Sequence, residues 1–176
     1  MKLAWGARVS AAFRGRVLAI SKQLGLDPSD LLSCIAFETG ETFRADVRNA
    51  AGSGAVGLIQ FMPATASTLG TTTSALAAMT AEQQLDYVLR YFKPWVGRLK
   101  TLGDVYGAIL WPGMIGRSDA YVVFDKADPD RPKLYIQNAG LDFNRDGKIT
   151  RAEICARIVA KRSKGLMAGN VWEGES

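Results

Sequence analysis

No histidine occurs among the 176 residues, and that one absence removes several chemistries. A Ser-His-Asp triad, a Cys-His pair and a histidine-ligated zinc are all excluded. The two cysteines, Cys34 and Cys155, are too few for a cysteine metal cage and too far apart to form a redox motif. Also missing is any apolar run of the roughly 18 residues needed to span a bilayer. Near the amino terminus, Lys2, Arg8, Arg14 and Arg16 interrupt any candidate signal-peptide core, so no signal peptide is expected. If the chain is an enzyme, carboxylates, tyrosines or lysines must move its protons.

What is present describes a folded chain. Hydrophobic residues make up 48%, enough for one core, with at most a small appendage. Lys and Arg number 22 against 17 Asp and Glu, a net charge of +5 that reads first as a generally basic, solvated surface and would also suit polyanionic partners such as nucleic acid or an acidic cell envelope. The basic residues are scattered rather than interleaved with aromatics in a stripe, so nucleic acid is not an expected partner.

Helix signals recur along the chain. Val9, Phe13, Val17, Ile20 and Leu24 mark an amphipathic helix that Gly25 stops. Asp27 and Pro28 supply the cap and first position of a second, which carries Leu31, Ile35 and Glu38 on one face. Residues 39–56, rich in Gly, Asn, Ser and Thr, read as an irregular functional loop. Pro63 opens a short helix, Thr80 with Gln83 signals a capping box, and Leu102 to Leu110 form a further helix before Pro112. Tyr121 to Phe124 reads as a short strand, and residues 128–132 as a turn. A final helix is expected from about Thr150 to Ser163.

Glu38 is the candidate of greatest interest. It lies on an apolar face at the carboxyl end of its helix, and both circumstances disfavour the ionised form. A carboxyl so placed suits general acid work near neutral pH.

The residues around it carry a resemblance. Phe37-Glu38-Thr39-Gly40, followed by Phe43, and Ser53-Gly54-Ala55-Val56-Gly57-Leu58-Ile59-Gln60 are similar, in order and spacing, to two signatures of the lysozyme-like lytic transglycosylases, particularly phage and prophage domains. The resemblance covers residues 35–69 most closely. It implies a lysozyme-like, mainly α fold with long active-site loops and at most a minor β element. It also implies cleavage of the MurNAc-GlcNAc bond of peptidoglycan, with Glu38 as acid and then base and a 1,6-anhydro product, without a catalytic cofactor. Ser53 and Gln60 would hydrogen-bond the sugar or orient Glu38.

The third signature departs from the family. Ile109-Leu110-Trp111-Pro112-Gly113 stands where relatives have Ala-Tyr-Asn-Ala-Gly, so Tyr106 and Tyr135 are the candidates to replace the missing tyrosine. Glu41 and Asp46 keep open a hydrolytic lysozyme mechanism in which a second carboxylate activates water. A non-catalytic calcium-binding virion module is a further alternative.

Residues 142–153 match the twelve-residue EF-hand loop. Asp142, Asn144 and Asp146 would offer side-chain oxygens, Lys148 its carbonyl and Glu153 a bidentate carboxylate, with Gly147 at the sharp turn. Structural Ca2+ is the expected ion. The expected organisation is a transglycosylase domain over 1–138, the calcium loop with its helix over 139–165, and a flexible tail over 166–176. The expected partner is the peptidoglycan glycan strand, with no membrane insertion, for a monomer or virion component that acts as an endolysin released through a holin or from the virion.

Overall fold

The structure is a computed structural model that describes residues 1–174. In chain order the elements are β1 (Lys2–Leu3), α1 (Ala11–Leu24), α2 (Pro28–Glu38), α3 (Pro63–Thr68), α4 (Thr73–Ala77), α5 (Ala81–Phe92), α6 (Leu102–Leu110), β2 (Val122–Asp125), α7 (Pro132–Asn138), β3 (Lys148–Thr150), α8 (Arg151–Gly165) and β4 (Trp172–Glu173). Helix accounts for 52% of the chain and the strands form two small two-stranded sheets, so the chain is mainly α with a minor β element. Among the described residues no helix is long and apolar enough to cross a membrane. The chain divides into two compact units, one of Met1–Gly97 with Lys161–Ser176 and one of Arg98–Ala160. The expected boundaries after residues 138 and 165 do not coincide with these divisions.

In the first unit, α2 is the central element. Asp27 caps it by accepting from the Ser29 N–H at 2.8 Å, and Pro28 takes the first position, where no amide partner is lost. Leu31, Leu32, Cys34, Ile35 and Ala36 are all fully buried. Burial of each large aliphatic side chain contributes about 2 kcal/mol. α1 packs on both α2 and α5 through Phe13, Val17, Ile20 and Leu24. Ser10 caps its start, and Gly25, at φ 68°, ends it as its spacing predicts. The Thr80–Gln83 capping box opens α5, which buries Gln84, Leu85, Val88 and Phe92.

The carboxyl-terminal segment differs from expectation. Residues 166–176 were expected as a flexible tail, yet β4 pairs antiparallel with β1, placing Leu3 opposite Trp172 and Lys2 opposite Glu173. Residues 175 and 176 of that segment lie outside the described residues. Beside this pair, Trp5 is fully buried, and its indole N–H donates to the Lys161 carbonyl at 3.1 Å. A side chain at Gly165 would overlap the Trp5 ring, so only glycine lets the end of α8 approach.

In the second unit, β2 and β3 pair antiparallel, with Phe124 opposite Ile149 and an irregularity between Val122 and Phe124. Asp104, in the first turn of α6, is 3% exposed and accepts from the backbone N–H groups of Lys100, Thr101 and Gly116. Arg151, the first residue of α8, reaches Asp104 at 3.2 Å and Asp119 at 2.8 Å. This fastens the start of α8 to the start of α6 with a charge that is paired rather than left bare. Pro132, expected to end a turn over 128–132, instead opens the helix α7, which runs to Asn138. Pro132 occupies its first position, where a missing amide hydrogen costs nothing. Cys34 and Cys155 are both free thiols.

Candidate functional sites

Glu38 is the last residue of α2 and is half-buried. The chain turns sharply after it. Gly40 has φ 58° and Glu41 φ 69°, while the Thr39 N–H donates to Ile35 O at 3.0 Å and the Glu41 N–H to Ala36 O at 2.7 Å. These bonds satisfy carbonyls that a helix end otherwise leaves open. The Thr39 hydroxyl adds a bond to Ile35 O at 2.7 Å and accepts from the Phe43 N–H at 3.1 Å. Glu38 therefore stands on a rigid helix end.

Tyr91, near the end of α5, is the neighbour that sequence reading missed. Its phenol is pushed up to about 12, first by burial and second by the charge of Glu38. It stays protonated at any working pH. Its ring meets Phe61 edge-on at 6.2 Å and Phe92 at 5.3 Å. Cys34, one turn before Glu38, is also pushed up, by burial first and by Glu38 next.

The two further carboxylates near Glu38 in sequence are held by cations. Glu41 accepts from Lys161 at 2.6 Å and from Lys164 at 2.7 Å, and these bonds hold its carboxyl below the usual range. Asp46 is gripped by the guanidinium of Arg44, at 2.9 Å through Nε and 2.6 Å through a terminal nitrogen, and is lowered in the same way. A carboxylate stabilised in its charged form is a weaker base.

The loop after Glu38 closes on itself. Val56 and Phe61 exchange N–H···O bonds of 3.1 and 2.8 Å around a tight turn that contains Gly57 at φ 83°. The Gln60 amide nitrogen donates to Val47 O and Gly57 O, both at 3.1 Å. Its donor half is spent on the loop, so a sugar hydroxyl could be met only by its Oε1. Ser53 is exposed, and its hydroxyl accepts from the Ala55 N–H at 3.3 Å. The loop is fastened from below by Gln84, whose side chain bonds to Leu58, Ala45 and Leu76. A polar residue on the apolar face of α5, next to Leu85 and four before Val88, was the available signal for it.

Glu38, Ser53 and Gln60 belong to the first unit, Tyr106 and Tyr135 to the second. Tyr106 is 4% exposed in the middle of α6. Tyr135, on α7, donates its hydroxyl to Asp142 Oδ2 at 2.6 Å. This ties it to the acidic loop.

That loop has the turn its sequence predicts. Gly147 adopts φ 84°, and its N–H donates to Asp142 Oδ2 at 3.0 Å. Asn144 Oδ1 accepts from the Asp146 N–H and Asp146 Oδ1 from the Lys148 N–H. Asp142 is 8% exposed, and its Oδ1 is buried with no hydrogen-bond partner. The Tyr135 hydroxyl holds the Asp142 carboxyl below its ordinary range. A buried, ionised oxygen without a donor fits a cation. Glu153, however, accepts from Phe143 N–H at 3.1 Å and from Thr150 N–H and hydroxyl at 2.8 Å, which caps α8. Among the described residues no three acidic, cysteine or histidine side chains stand together closely enough to hold a metal.

Comparison with protein-family models, with curated proteins and with solved structures returned no match.

Proposed function

We propose that the chain is a peptidoglycan lytic transglycosylase in which Glu38 serves first as acid and then as base. The observation that carries this reading is the pairing of Glu41 with Lys161 and Lys164, set beside that of Asp46 with Arg44. Inverting hydrolysis needs a second carboxylate free to activate water, and retaining hydrolysis needs one free to attack carbon. The two carboxylates that follow Glu38 in sequence are both committed to cations.

A single carboxyl balances the chemistry. Glu38 gives its proton to the oxygen between N-acetylmuramic acid and N-acetylglucosamine as that bond breaks. The resulting carboxylate takes the proton of the muramoyl 6-hydroxyl, whose oxygen closes on C1. The products are a GlcNAc end and a 1,6-anhydro end, with no water consumed, and the nucleophile is held by the substrate itself. The left-handed backbone at Gly57 and the Gln84 anchor support the reading, because a substrate loop must be rigid to orient a sugar against Glu38.

Calcium is the second part of the proposal. Asp142, Asn144 and Asp146 would hold it with their side chains, Lys148 with its carbonyl, and Glu153 with its carboxylate. Bound there, it would supply charge neutralisation for Asp142 and a structural tie to the start of α8.

Glu38→Gln tests the catalytic reading. Muropeptides released from purified sacculi by the wild type should carry anhydro ends on mass spectrometry, and the variant should release fewer by about 10²–10⁴-fold. Reducing-end products without the anhydro mass, or full activity in Glu38→Gln, would overturn it. Asp46→Asn should stay active.

A further inference from the structure

A groove of about 310 Å³ opens between α3 and α5. Ala64, Thr65, Thr68 and Leu69 line it from α3 and its end, and Arg90, Tyr91 and Pro94 from α5 and the residues after it. Its size falls at the lower end of small-ligand pockets, which span about 300–1,000 Å³. Tyr91 lines this groove, and its phenol also feels the charge of Glu38.

The walls are poorly suited to a sugar. A saccharide presents a hydroxyl on almost every carbon, and the groove offers mainly methyl and methylene groups. Of the two threonines, the Thr68 hydroxyl donates to Ala64 O at 3.1 Å, within its own helix. The one strong polar feature is the Arg90 guanidinium, which is exposed and lies over the Tyr87 ring at 4.9 Å. Small aliphatic walls beside a fixed, planar cation match a short peptide with methyl side chains and a carboxylate.

We propose that this groove binds the stem peptide of the glycan strand, with alanine methyls against Ala64, Thr65 and Leu69 and a stem carboxylate on Arg90. The inference rests on the peptidoglycan reading and names the part of that substrate recognised outside the sugar backbone. Stem recognition in a groove that shares Tyr91 with the electrostatic surroundings of Glu38 makes the enzyme prefer peptide-bearing strands over stripped ones.

The test compares glycan strands that keep their stems with the same strands stripped by an amidase, using the full chain. The wild type should show a KM about tenfold lower for stem-bearing strands. Arg90→Ala, and Ala64→Trp, which fills the groove from the opposite wall, should erase that preference. A preference that survives both substitutions overturns the proposal. Binding of the free L-alanyl-D-isoglutamyl stem tetrapeptide, followed by NMR shifts, separates the two readings. Peptide binding lost in Arg90→Ala, without glycan cleavage by the wild type, keeps the groove and sinks the Glu38 mechanism. Cleavage without Arg90-dependent binding does the reverse, and neither result overturns both.

Discussion

The Leu58 N–H donates to Oε1 of Gln84 at 2.6 Å, while the amide nitrogen of the same side chain donates to Ala45 O at 3.0 Å and Leu76 O at 2.9 Å. One fully buried amide thus ties the loop after Glu38 to the segment before α5. Gln84→Leu leaves those three backbone groups buried and unpaired, at about 1–3 kcal/mol each where no water replaces the lost partner. Urea denaturation should show a loss of at least about 3 kcal/mol. A loss under about 1 kcal/mol would mean that the bracket is dispensable. Gly57→Ala should be comparably damaging, because the added methyl overlaps the Gln84 amide and the residue has φ 83°.

Tyr91→Phe keeps the ring contacts with Phe61 and Phe92 and removes only the hydroxyl near Glu38. Sacculus cleavage should fall by about tenfold in kcat, the scale of one polar interaction in the transition state. The melting temperature should stay close to that of the wild type. Unaltered kcat would show that the Tyr91 hydroxyl has no part in transition-state stabilisation beside Glu38.

Asp30 sits in the first turn of α2, and burial, then the neighbouring charge of Asp27, raises its carboxyl from 3.8 to about 6 despite the Arg162 ion pair. An acid raised on folding favours the native state in its neutral form. That contribution is fully present below pH 3.8 and is lost as pH rises through about 6. Asp30→Asn should therefore gain stability relative to the wild type as pH rises from about 4 to 6.5, measured by chemical denaturation across that range. A flat difference would show that the native carboxyl titrates near its ordinary value.

Calcium should raise the melting temperature. At about 5 mM calcium and a Kd of about 0.5 mM, within the range of weak EF-hand loops, the gain is about 1.4 kcal/mol. Asp142→Asn, which removes the charge of the carboxylate holding the buried, unpartnered Oδ1, should abolish most of it. A thermal scan that calcium leaves unmoved counts against a metal at this loop.

Local chemistry was legible in the sequence where one or two residues decide the outcome. Gly25, the Asp27-Pro28 pair, the Thr80–Gln83 box and the Gly147 turn all lie where their side chains or lack of one dictate. α7 was hidden because Pro132 carries the same signal in a turn as at a helix start. β4 was hidden because two residues show no periodicity, and their partners lie at the opposite end of the sequence. Gln84 and Tyr91 escaped for a related reason. Their roles depend on tertiary contacts with Leu58 and Glu38, which no spacing rule within α5 encodes. Likewise, nothing local revealed that Glu41 would be met by two lysines more than a hundred positions away.

The cover over Trp5 has a consequence for how the chain is made. The indole N–H and its acceptor on Lys161 are 156 positions apart. A ribosome working at about 5–20 residues per second places roughly eight to thirty seconds between the two. Until then Trp5 has no cover from α8, and Glu41 lacks both its lysines. The first unit, although it contains the amino terminus, is the last part of the molecule able to finish folding during translation, so a chain cut short before Lys161 leaves an exposed aromatic for chaperones and proteases to find.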